Sequence, residues 1–120
     1  MKLVNIKETY RFIYELSTEE PKPVFILKKM SFGEVSSIFD SISVMNDKNQ
    51  VQYLSGTSSR LKVKYSVVSW ENIFDSDGKV AQCNDENKDK LSVSVINWLV
   101  REIDKLSGLT GIPEEERKNS

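Results

Sequence analysis

The spacing of apolar residues changes several times along the chain, and each change marks an element. In residues 9–16, Tyr10, Phe12, Tyr14 and Leu16 alternate with mostly polar neighbours, which predicts a half-buried strand. Residues 17–23 carry Pro21 and Pro23, which suit neither helix nor central strand, so a turn is expected. Residues 24–30 then read as a second strand, Val24-Phe25-Ile26-Leu27-Lys28-Lys29-Met30. With so short a connection between them, the two strands should pair as an antiparallel hairpin.

From Ser31 the period lengthens to that of a helix. Ser31-Phe32-Gly33-Glu34 has the spacing of a capping box, and Val35, Ile38, Phe39, Ile42 and Met45 follow on one stripe. This helix is expected to stop near Asn46, before a polar loop over residues 47–50 and a break at Gly56.

Residues 57–70 read two ways. Leu61, Val63, Tyr65 and Val67 alternate as a strand would, yet Leu61, Tyr65 and Val68 also share a helical face. The alternation leans to strand. Beyond Trp70, the Asp75-Ser76-Asp77-Gly78 run suits a tight turn with positive φ at glycine. Asn84 offers a helix start, and the clearest helix opens at Ser92. There Val93, Ile96, Leu99, Val100, Ile103 and Leu106 form an apolar stripe beside Trp98, and Gly108 fits the position just past the helix end. The fold class expected is α+β, an N-terminal β-hairpin followed by a mainly helical small domain. Residues 1–110 would form one globular domain and residues 111–120 a flexible C-terminal tail.

Composition narrows the chemistry. The 120 residues contain no histidine, which excludes a Ser-His-Asp triad, a Cys-His pair and histidine metal ligands. The single cysteine, Cys83, excludes an internal disulfide and a thiolate zinc cage. A net charge of −1 provides no general attraction to nucleic acid or anionic lipid. No run approaches the ~20 apolar residues of a membrane span, and the first residues lack a signal-peptide pattern, so a cytoplasmic protein with reduced Cys83 is expected.

The remaining clusters have plain readings. Asp75-x-Asp77 resembles the start of a calcium loop, but Lys79 and Val80 occupy the fifth and sixth positions, where oxygen and glycine are required. Arg60, Lys62 and Lys64 would share one face of a strand and could meet phosphate, although a solvated face explains them better. Asp75, Asp77, Asp85, Glu86 and Asp89 lie in loop-like sequence without a spacing that sets a metal geometry. Cys83 has no histidine partner, and only Lys79 or Lys88 could lower its pKa. No cofactor is implied.

The segment Trp70-Glu71-Asn72-Ile73-Phe74-Asp75-Ser76-Asp77-Gly78-Lys79 resembles a motif of the tail assembly chaperones of long-tailed bacteriophages and prophages. Glu86-Asn87 and the closing amphipathic helix follow in the same order, and the Ser31/Glu34 cap matches the front half. The chain departs from that pattern at Ser69 and at Val80-Ala81-Gln82-Cys83. The resemblance implies a non-enzymatic protein of the host bacterial cytoplasm that coats the tape measure protein and recruits tail tube subunits. It also implies helix rather than strand over residues 57–72. Contacts would fall on Trp70, Trp98, Arg101 and Lys105, with room for self-association into a homo-oligomer and no role for nucleic acid or membrane. Two other classes compete: a structural tail or head–tail connector component, and a carboxylate-based metal-binding enzyme.

Overall fold

The computed structural model describes residues 1–45, 48, 51–53 and 55–109. The elements are β1 (Thr9–Ile13), β2 (Val24–Lys28), α1 (Phe32–Ile42), β3 (Ser43–Met45), β4 (Val51–Tyr53), α2 (Ser55–Ser66), β5 (Val67–Glu71), α3 (Asp85–Lys88) and α4 (Val93–Leu106). The α+β architecture with an N-terminal hairpin is therefore observed. β2 lies at the centre of an antiparallel sheet of order β1-β2-β5, and β3 pairs with β4 in a small second sheet.

β1 and β2 pair in the expected hairpin, Tyr10 opposite Leu27 and Phe12 opposite Phe25. The first strand is shorter than its pattern suggests. Tyr14 still donates its N–H to the Pro23 carbonyl at 2.9 Å, but Leu16 lies beyond the ladder and is exposed. β2 is the central strand, and its adjacent residues Val24 and Phe25 are both buried, as is Leu27, so both faces are covered at that end and its sequence is almost wholly apolar.

The Ser31/Glu34 capping box forms as expected: the Glu34 N–H donates to Ser31 Oγ and the Ser31 N–H to Glu34 Oε1. α1 stops at Ile42, four residues short of Asn46. Ser43 Oγ donates to the Phe39 carbonyl at 2.8 Å, and the chain leaves as strand β3. Ile38 and Ile42 enter the core, whereas Phe39, on the expected stripe, is half exposed. Of the expected polar loop, residues 47, 49 and 50 lie outside the described residues, as do residues 111–120 of the expected tail.

Residues 57–70 divide between both readings. The chain is helical to Ser66 and extended from Val67, so the strand lean over residues 60–66 is corrected and the helix expected to Asn72 ends six residues early. α2 buries Val63 and Ser66, with Leu61 and Tyr65 packed against the core and the Lys62 side chain largely buried, so its covered side mixes apolar and polar residues. Buried Ser66 donates its hydroxyl to the Lys28 carbonyl at the end of β2. A register shift against Ile26 and Leu27 leaves Val68 out of the pairing, so Val67 and Trp70 both face the core.

The expected turn over residues 75–78 forms. Asp75 Oδ1 accepts the N–H groups of Asp77 and Lys79, each at 2.9 Å, and Gly78 has φ +80°. Asn84 caps α3 and Ser92 caps α4. α4 ends in a Schellman motif, with Leu109 N–H on the Asp104 carbonyl and Gly108 at φ +76°. Leu99 and Ile103 of its stripe are fully buried, while Val93 is exposed. Among the described residues no helix is long and apolar enough to cross a membrane.

Candidate interaction surface

The two tryptophans occupy different environments joined by one phenylalanine. Trp70 of β5 is 8% exposed, meets Phe25 edge-on at 6.2 Å and donates Nε1–H to the Ala81 carbonyl at 2.8 Å. Its ring closes the root of the turn at residues 73–81, where Phe74 and Val80 bridge. Trp70 is thus a core residue and offers little ring surface to a partner. Trp98 of α4 is half-buried, packed against Tyr14 at 5.1 Å and Phe25 at 6.0 Å.

Arg101 lies one turn on from Trp98 and Lys105 two turns on, both on the exposed face of α4. Lys105 is 3.8 Å from Glu102, and Arg101 has no ion-pair or hydrogen-bond partner among the described residues. Trp98, Arg101 and Lys105 therefore form one patch, and Trp70 is not part of it. A helical stripe beside a tryptophan was legible in the sequence; the side of each ring that faces water was not.

The basic residues of α2 do not share a face. Lys62 turns inward and its Nζ approaches Asp104 Oδ1 of α4 at 2.9 Å, an ion pair outside hydrogen-bond alignment. Arg60 instead forks onto Asp89, with bonds of 3.1 and 2.6 Å. Lys64 approaches Asp85 at 3.9 Å, as does Lys88 from within α3. Two of the cations thus meet two of the carboxylates that look like a separate patch in the sequence. Nothing local in the sequence pairs residues 29 positions apart.

Arg60, Lys64, Asp85 and Asp89 lie at the exposed edge of a cleft of about 730 Å³ between α2, α3 and the first half of α4, and the Lys88 side chain, 11% exposed, is buried in its wall. Leu61, Val63 and Ile96 give it an apolar lining. This cleft was not foreseen. Cys83 lies outside it, half-buried. Burial pushes the Cys83 thiol upward, Lys88 opposes this and Asp85 adds to it; the net shift is up, which weakens it as a nucleophile near neutral pH. Among the described residues no group of three His, Cys, Asp or Glu side chains is placed to hold a metal.

Comparison with protein-family models, with curated proteins and with solved structures finds no match.

Proposed function

We propose that this chain is a non-enzymatic binding protein, and specifically a tail assembly chaperone of a long-tailed bacteriophage or prophage. It would act in the host bacterial cytoplasm, holding the tape measure protein and recruiting tail tube subunits. The observation that carries the reading is the exposed patch on α4, where Arg101, with no partner among the described residues, lies one turn from a half-buried tryptophan. Tryptophan and arginine are the side chains most enriched at the energetic centres of protein contacts. The segment that carries the resemblance also uses its characteristic letters for folding. Trp70 anchors the root of the turn, and Asp75 and Gly78 form it.

The test is co-expression with the tape measure protein. Co-purification is expected, together with a rise in the soluble fraction of the tape measure protein. Arg101→Glu with Lys105→Glu should abolish both without unfolding the chain. Absence of co-purification with the unaltered chain overturns the reading, and abundant chain in purified virions would favour a structural tail component instead.

A further inference from the structure

β1 is an edge strand. It pairs with β2, and among the described residues no other strand meets it. Bonding alternates along an antiparallel ladder, and the Tyr14 N–H bonds to the Pro23 carbonyl. Tyr10, Phe12 and Tyr14 therefore direct their backbone groups to β2, while Thr9, Arg11 and Ile13 direct theirs outward. Natural edges are guarded by lysine, proline or a bulge. β1 has none of these. Its one charge, Arg11, reaches across the sheet to Glu71 at 3.4 Å, away from the open side.

We propose that β1 pairs antiparallel with the β1 of a second copy of this chain, joining two three-stranded sheets into one of six. The strand itself selects that occupant, because it is self-complementary in one register. Two-fold pairing centred on Arg11 would set the guanidinium groups of both copies opposite each other, which is destabilising. Centred on Tyr10, it would set Phe12 against Glu8 of the other copy. Centred on Ile13, it would run into the turn that begins at Glu15. Centred on Phe12, it sets Phe12 against Phe12 and Tyr10 against Tyr14, at the non-hydrogen-bonded positions where side chains come closest. Arg11 then lies opposite Ile13. Tyr10, Phe12 and Tyr14 are each half-buried, with surface left for these contacts. A two-fold axis perpendicular to the sheet keeps both copies of α4 on one side of it. The inference is independent of the chaperone reading.

Sedimentation velocity on the full chain tests it. The contact is small, so dimers with a Kd on the order of 10–100 µM are expected. Ile13→Pro removes only an outward N–H, which an edge strand tolerates, and should weaken dimerisation at least about tenfold with the circular dichroism unchanged. If that proline unsettles the strand, Ile13→Lys gives the same reading, since the position is 40% exposed and the added charge would lie opposite Arg11 of the other copy. Oxidative cross-linking on a Cys83→Ser background reads the register. Chains carrying Arg11→Cys should link to chains carrying Ile13→Cys, their Cα atoms about 5.5 Å apart, in preference to their own kind.

A chain that stays monomeric to about 1 mM, or a dimer that a folded Ile13 variant leaves intact, overturns the proposal. Arg11→Cys chains that link chiefly to one another do the same. So does a monomer whose capture of the tape measure protein falls with Ile13→Pro, because the edge then takes a foreign strand.

Discussion

Single side chains carry much of the specificity of this fold. Trp70 fills the space between β2 and the turn at residues 73–81, and its ring nitrogen satisfies the Ala81 carbonyl. Trp70→Phe should cost about 1–3 kcal/mol, because the smaller ring leaves a cavity and strands that carbonyl. Trp70→Ala should cost about 3–5 kcal/mol, a large share of a small domain's stability. Urea unfolding followed by circular dichroism would measure both. Glu34 is a second such residue. Burial raises its pKa, but Lys28 Nζ at 2.9 Å and the Ser31 N–H outweigh this, and the carboxyl lies below its usual range. A depressed folded pKa means that the stabilisation is complete above the unfolded value, near 4.5, and is lost as pH falls through the folded value. Glu34→Gln, which can still cap, should be about 0.5–1 kcal/mol less stable at pH 7, and the two unfolding curves should converge in acid. A constant difference across that range would show that the charge contributes nothing.

At the scale of elements, legibility followed how many faces an element buries. The hairpin, α1's cap and α4 were readable because each has one apolar side or a cap with distinctive letters. α2 was not, because it lies between α1 and α4 and buries Lys62 and Ser66, residues whose polarity suggests solvent, alongside Leu61, Val63 and Tyr65. Meanwhile Leu61, Val63, Tyr65 and Val67 alternate because their positions fall on two flanks of a helix and then on a strand. The Lys62–Asp104 pair illustrates the cost of such an arrangement. Both side chains are about four-fifths buried, at 17% and 20% exposure, so removing one strands the other. Asp104→Ala should destabilise the chain by about 3 kcal/mol, whereas Lys62→Met with Asp104→Leu should be neutral or stabilising. Thermal unfolding of the three proteins decides the matter. If the single substitution is silent, Lys62 escapes to water and the pair is not a clasp between α2 and α4.

For the whole molecule, the aromatic chain Tyr14–Trp98–Phe25–Trp70 links the exposed patch on α4 to the sheet and, through it, to the turn at residues 73–81. That continuity makes the tryptophans usable as two reporters with different surroundings. Trp70 is sealed in the core, and Trp98 is wetted on one side. A variant that keeps only Trp98, made by Trp70→Phe, should therefore be quenched by acrylamide several times more strongly than one that keeps only Trp70, made by Trp98→Phe. Docking of a partner on α4 should shield Trp98 from acrylamide and blue-shift its emission, as burial of an indole requires. Trp70, screened by the turn, should change little. Equal protection of Trp70 and Trp98 would mean that binding rearranges the sheet, and the patch on α4 would then no longer be a preformed surface.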